Sequence, residues 1–309
     1  MSRFENLDPF DQPGPLALLR WKLGARRPDR GTPFATPTQA VDPARLESAS
    51  LTWLGHSSFL VRLGGLLVAT DPIFADRVGL ARRNVAPPIA DAALPAVDVV
   101  TISHAHFDHL DLPSLQAIDA RTRALTGKPP LYLVPTAVGR YLRAAGLAPV
   151  VERGWWEEHR VGDVRFTFVP QQHWSMRTPF DRNTALWGGW VMRGPEGTAY
   201  HAGDTGWFSH FGEIGARCGP IDWAMLPIGA YDPRWMMQAQ HMNAEEAGRA
   251  FVHCGAKHLV AMHWGTFQLT DEPLSEPPER VRRWWTEEGP GASERHRLWV
   301  MDVGETRAL

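Results

Sequence analysis

The chain has 309 residues, 44% of them hydrophobic, with a formal charge of -2 and a pI near 6.7. That is enough apolar material for a full core, and the near-neutral balance argues against a general nucleic-acid binder, which carries a marked basic excess. Only Cys218 and Cys254 are present, too few for a disulfide framework or thiolate cluster, so a cytoplasmic location is expected and any metal must be held by histidine and carboxylate.

In chain order, residues 1 to about 50 are rich in Pro, Asp and Arg, show no sustained period, and read as an extended arm. Within it, Leu16 to Arg27 predicts a short amphipathic helix, docked on its own domain or on a membrane surface. No secretory-signal order is present, and no segment reaches the roughly 18 apolar residues that span a bilayer.

From Leu51 the pattern changes. Leu51 to Leu54, Ser58 to Leu63 and Leu66 to Thr70 predict strands, the last two joined by a tight Gly64-Gly65 turn. Val97 to Ile102 predicts a buried strand running into His104. Further strands are expected over Leu131 to Val134, Val164 to Val169, Ala185 to Met192, Thr198 to His201, Trp223 to Leu226, His258 to Met262 and Leu298 to Val303. Helices are expected over Pro113 to Ala120, Ala137 to Ala145, Ala244 to Cys254 and Pro278 to Glu288; Asn243 with Glu246 has the capping-box spacing. Helices interleaved with strands imply one α+β domain over 51–309 behind the 1–50 arm. The 14 tryptophans read mainly as core, with a few available for an apolar substrate surface.

The chemistry centres on His104-Ala105-His106-Phe107-Asp108-His109, three imidazoles and a carboxylate in six residues. One tetrahedral ion rarely takes all its ligands from so short a segment, so the density points to more than one borderline metal such as zinc. Three later strands also lead to a ligand-type residue: His173, Asp204 and His263. Loops at strand ends let a rigid sheet present side chains to one point.

These motifs resemble the metallo-β-lactamase superfamily, whose H-x-H-x-D-H signature matches His104, His106, Asp108 and His109. The resemblance implies a four-layer αβ/βα sandwich of two mixed sheets flanked by helices. It also implies two zinc ions per chain, one on His104, His106 and His173, the other on Asp108, His109 and His263, bridged by Asp204 and a hydroxide. Mn, Fe or Co suit the same donors. Asp71 and His56 take supporting places beside the ligands.

Longer phrases resemble one branch, the N-acylphosphatidylethanolamine-hydrolysing phospholipase D family: Trp53-Leu54-Gly55-His56, Thr70-Asp71-Pro72-Ile73-Phe74, Gln172-His173-Trp174, Leu186-Trp187-Gly188, Ala202-Gly203-Asp204-Thr205-Gly206 and His263-Trp264-Gly265-Thr266-Phe267. The resemblance implies a phosphodiesterase releasing N-acylethanolamine and phosphatidate. His241 is the expected additional catalytic histidine beside Asp108 and Asp204, and Tyr231, Arg234 and Trp235 are expected at the pocket mouth. The implied partners are a phospholipid or other phosphodiester, with peripheral contact at the inner face of the membrane and a homodimer left open, and no nucleic acid. The alternatives are a lactonase or other acyl hydrolase of the same fold, and a metal-binding lipid sensor without turnover.

Overall fold

The computed structural model describes residues 3–10, 13–24 and 34–309. In chain order the strands are β1 (Ser50–Gly55), β2 (Ser58–Leu63), β3 (Leu66–Thr70), β4 (Arg77–Val78), β5 (Ala81–Arg82), β6 (Val99–Thr101), β7 (Leu131–Pro135), β8 (Val150–Arg153), β9 (Glu158–Val161), β10 (Val164–Val169), β11 (Gly189–Gly194), β12 (Gly197–His201), β13 (Trp223–Pro227), β14 (His258–Met262), β15 (Leu298–Trp299) and β16 (Thr306–Ala308). The helices are α1 (Pro15–Gly24), α2 (Leu112–Thr126), α3 (Gly139–Ala144), α4 (Phe211–Cys218), α5 (Arg234–Met237), α6 (Ala244–His253) and α7 (Glu276–Glu287).

Two seven-stranded mixed sheets result, ordered β16-β1-β2-β3-β6-β7-β8 and β15-β14-β13-β12-β11-β10-β9. The first is antiparallel from β16 to β3 and parallel from β3 to β8. The second repeats the plan, antiparallel from β9 to β12 and parallel from there to β15. Parallel neighbours need crossovers, and α2, α3, α4, α6 and α7 lie within them.

Side-chain alternation separates the layers. Leu51, Trp53, Phe59, Val61 and Leu63 point into a core shared with Phe166, Phe168 and Trp190 of the second sheet. Their neighbours Leu54, Leu60, Leu67 and Ala69 pack on the other side with Leu115 and Ile118 of α2 and Leu142 of α3. The helix ends follow local chemistry. Asp111 caps α2, whose last turn closes on Gly127 at φ 74, and the Asn243–Glu246 capping box is formed at α6.

Several expectations need correction. The segment expected as a strand from Ala185 pairs only from Gly189 onward. Before that, the amides of Leu186 and Gly188 bond instead to the carbonyls of Thr136 and Ser103, spanning the sheets. The last expected strand stops at Trp299, because Val303 turns to bridge Thr38 of the arm. The helix expected over Leu16 to Arg27 is α1, whose apolar residues are not gathered on one face; it is tied by Trp21 Nε1 to Asp271 Oδ2 at 2.7 Å, and Ala25, Arg26 and Arg27 lie outside the described residues. Among the described residues no helix is long and apolar enough to cross a membrane.

Strand direction sets up the site. Two antiparallel steps restore direction, so β1, β3 and β6 run one way in their sheet, as β10, β12 and β14 do in theirs. Beyond their carboxyl ends stand His56, Asp71, His104, His173, Asp204 and His263.

Candidate metal centre

The turns that lead off these strands are tight. His56, Asp71 and His263, each the first residue past its strand, take left-handed backbones at φ 52, 39 and 61. Non-glycine residues there cost on the order of 1 kcal/mol or more each, and such positions cluster at functional sites. The surrounding structure holds them in place. The His263 amide donates to the His56 carbonyl (2.9 Å), the His56 amide to Thr266 Oγ1 (2.7 Å), and Trp53 Nε1 to the same His56 carbonyl (2.9 Å). Two other tryptophans act alike: Trp190 Nε1 donates to the Ile102 carbonyl (2.8 Å) and Trp187 Nε1 to that of Gln171 (3.0 Å).

Two groups of ligand atoms converge. In the first, His106 Nδ1 stands 2.8 Å from His104 Nε2 and 3.3 Å from His173 Nε2. Nitrogens bound tetrahedrally at about 2.05 Å from one zinc ion would lie about 3.3 Å apart. In the second, Asp108 Oδ2 is 3.6 Å from His109 Nε2 and 3.7 Å from His263 Nε2. Asp204 lies between the groups. Its Oδ2 is 3.1 Å from His109 Nε2 and 3.8 to 3.9 Å from the first-group nitrogens of His173 and His104, while Oδ1 is 3.1 Å from His263 Nε2.

The outward nitrogens of these rings fix the tautomers. His173 Nδ1 donates to the Gln240 carbonyl (2.9 Å), and His109 Nδ1 to Asp71 Oδ2 (2.7 Å). Ser103 Oγ gives its proton to Asp71 (2.5 Å), which leaves the hydroxyl oxygen to accept from His104 Nδ1 (2.9 Å). His104 and His173 therefore present an unprotonated Nε2, the form a metal takes, and His109 turns toward the centre the Nε2 whose proton a metal would displace. His56 sits beside the second group, its Nε2 3.0 Å from Asp108 Oδ2.

Charge and desolvation complete the fit. Burial pushes His106 down to about 4, His173 to about 3 and His104 well below its ordinary value, so the first group is three neutral imidazoles. Burial would lower His109 and His263 too, but Asp204 and Asp108 outweigh it and hold His109 well up and His263 at about 9. In the second group protons thus supply the positive charge that a cation would bring. His109 Nε2, His263 Nε2 and Asp204 Oδ1 are buried, and although each ring stands 3.1 Å from an Asp204 oxygen, none of these atoms makes a well-aligned hydrogen bond. Buried polar atoms are rarely left so, and here they share a focus. The donor set and its convergence fit a pair of divalent cations.

His241 joins the cluster from the loop after α5, its ring 5.2 Å from that of His173 and 5.5 Å from that of His263, with Nδ1 buried and unpaired. The loop is held by Arg234, whose guanidinium donates to both Glu246 oxygens (2.9 and 2.8 Å) and to the His241 carbonyl (3.1 Å). Of the three residues expected at the pocket mouth, Arg234 is therefore committed to the loop. Tyr231 is buried with its hydroxyl on Glu276 (2.8 Å), and only Trp235 is exposed. Pattern-reading missed Ser103, which precedes the signature, and Trp174, whose edge covers the His106 ring at 4.5 Å. The centre keeps some exposure at His106, Asp108 and His241. There the exposed Phe107 carries the Arg177 guanidinium at 4.3 Å, and Trp174 carries that of Arg182 at 5.2 Å.

Comparisons with known proteins bear on the family and the fold. The family model described as a beta-lactamase superfamily domain matches residues 67–264. A Mycobacterium tuberculosis protein described as uncharacterized is 41% identical, over 90% of this chain and 77% of its own. N-acyl-phosphatidylethanolamine-hydrolyzing phospholipase D 1 of Caenorhabditis elegans is 34% identical, over 75% of this chain and 68% of its own. Igni18, a metallo hydrolase of Ignicoccus hospitalis, superposes with a TM-score of 0.62 at 23% identity, over 84% of this chain and 97% of its own, and so shares the fold.

Proposed function

The chain belongs to the metallo-β-lactamase superfamily and, within it, to the N-acylphosphatidylethanolamine-hydrolysing phospholipase D family, and from that membership we propose a two-zinc phosphodiesterase of phospholipase D type. The substrates are N-acylphosphatidylethanolamine-like lipids, cleaved to N-acylethanolamine and phosphatidate. The observation that supports this most is the convergence of buried ligand atoms without aligned hydrogen bonds on His109, His263 and Asp204, beside three neutral imidazoles.

His104, His106 and His173 would hold one ion, and Asp108, His109 and His263 the other, with one Asp204 oxygen toward each half of the second group. Bound there, two divalent ions activate water and stabilise charge on the attacking and leaving oxygens of a displacement. Asp71 and Ser103 keep His109 and His104 in the tautomer that donates from Nδ1. His56 steadies Asp108 through Oδ2. His241 presents a neutral ring toward the exposed side, placed to bond the phosphate or, after taking a proton from the attacking water, to pass that proton to the departing alkoxide. Arg182, stacked on Trp174 beside that opening, suits an anionic substrate, while the Arg177 guanidinium donates to the Ala105 and Leu110 carbonyls and braces the signature loop. A bilayer substrate calls for peripheral contact, and the exposed Leu16 and Leu23 of α1 and Phe180 support it.

The test is turnover of the zinc-loaded chain on N-acylphosphatidylethanolamine, an aryl phosphodiester and acyl lactones. Phosphatidate release from the lipid is expected. Lactone opening without cleavage of either phosphodiester would overturn the proposal in favour of an acyl hydrolase, and metal uptake without turnover of any ester would favour a sensor.

A further inference from the structure

The N-terminal arm bears directly on one of the proposed ligands. His173 lies four residues beyond the end of β10, where no strand ladder pairs its backbone. Its amide instead donates to Asn6 Oδ1 (3.1 Å), and its carbonyl accepts from Asn6 Nδ2 (2.8 Å). A carboxamide offers one donor and one acceptor side by side, as a peptide group does, so Asn6 stands in for the missing neighbouring strand. Asn6 Oδ1 is itself held by Trp187 Nε1 (3.1 Å).

The arm is fastened on either side of Asn6. The Phe4 amide donates to the Asn183 carbonyl (2.8 Å), and Gln172 Nε2 donates to the Pro9 carbonyl (3.4 Å). Asp8 accepts from the Ser209 amide (2.8 Å) and hydroxyl (3.1 Å). Ser209 belongs to the segment that leaves Asp204. The two loops are also joined directly, by the Gln172 amide on Thr205 Oγ1 (3.1 Å) and the Gly206 amide on the Gln172 carbonyl (2.8 Å). The arm thus crosses from the His173 loop to the Asp204 loop and ties both.

We propose that residues 3–10 form a strap that sets the metal ligand His173, with Asn6 as the positioning residue. Gln240 fixes the His173 ring through Nδ1, and Asn6 fixes the backbone from which that ring projects. The inference rests on His173 being a ligand of the proposed centre. It gives the arm a role in metal retention that composition did not suggest.

The experiment compares the zinc-loaded full chain with Asn6→Ala and with Asn6→Asp, which is isosteric and keeps the acceptor but loses the donor. Zinc release to a chromogenic chelator is followed, with the visible bands of the cobalt-substituted protein and the melting temperature of the metal-free chain. In Asn6→Ala one of two zinc equivalents is expected to leave about 10- to 100-fold faster, the range that outer supports of a ligand carry. Asn6→Asp should be intermediate. The bands of one cobalt should change, with metal-free melting within about 2 to 4 °C of the parent.

Unchanged release and bands in both variants would overturn the strap, as would a fall in metal-free melting with unchanged bands, which marks a merely structural contact. If Asn6→Ala does not fold, Asn6→Asp carries the same comparison. A parent chain that takes up no metal would overturn the two-metal reading, and the strap with it.

Discussion

His109 Nδ1 lies 2.7 Å from Asp71 Oδ2, both side chains wholly out of solvent, and this contact decides which nitrogen of His109 faces the centre. Asp71 also receives the Ser103 amide (2.7 Å) and hydroxyl (2.5 Å), so one carboxylate orients two histidines, His109 directly and His104 through Ser103. Asp71→Asn presents an amide group where both partners need an acceptor. Metal affinity should fall about 10- to 100-fold, read by chelator competition, with circular dichroism near the parent's. Parental affinity would remove Asp71 from the support of the centre.

Asp204→Asn removes the charge that both halves of the site share. It should cost more metal affinity than the about 10- to 100-fold expected of an outer support, leave no more than one tightly held equivalent, and abolish most hydrolysis. Elemental analysis after desalting gives the stoichiometry. Two retained equivalents with parental turnover would refute the bridging role.

His241→Ala is expected to keep both metals and lose about 10²- to 10⁴-fold in turnover of the phosphodiester, with the larger change in kcat. The comparison is made on a fully metal-loaded variant. Loss of one metal instead would move His241 into the ligand set, since its ring nitrogen groups with ligand atoms of His173 and Asp204 within 4.8 Å.

Cys218 and Cys254 are buried, and burial raises both thiols, Cys254 to about 12. A raised thiol pKa leaves almost no thiolate at pH 8, and reactivity appears only as the pH approaches that value or the chain unfolds. A thiol reagent at pH 8 should find neither cysteine in the native chain and both in denaturant. Rapid native labelling would contradict the burial.

Much of the site's layout was legible because its cues are local. The signature spans six residues, and His173, Asp204 and His263 each follow a run of β-forming residues by a few positions. The turn at Gly64-Gly65 and the Asn243–Glu246 box are likewise short-range signals. Other features are not local. β8 and β9 are half-buried edge segments with polar residues, and α4 hides behind Gly212 and Gly215. Gly215 is there for packing, since a Cβ would stand under 3 Å from the Cys254 carbonyl oxygen. Tyr231 turns its hydroxyl to Glu276 and Arg234 its guanidinium to Glu246, directions that a loop's sequence does not foretell. Asn6 and His173 are 167 positions apart, beyond any periodicity.

The two sheets end at a common edge, and each proposed ion would take two ligands from the loop after β6 and, from the opposite sheet, one histidine of its own and a share of Asp204. Such ions would close a seam between halves whose hydrophobic layers already hold together, like the clasp of a hinged box. Ligand binding confined to the closed form adds stability as RT ln(1 + [M]/Kd), about 2.7 kcal/mol at a hundredfold excess over Kd. Metal supply would then set how firmly the halves stay shut, and a chain starved of metal would loosen first along that edge.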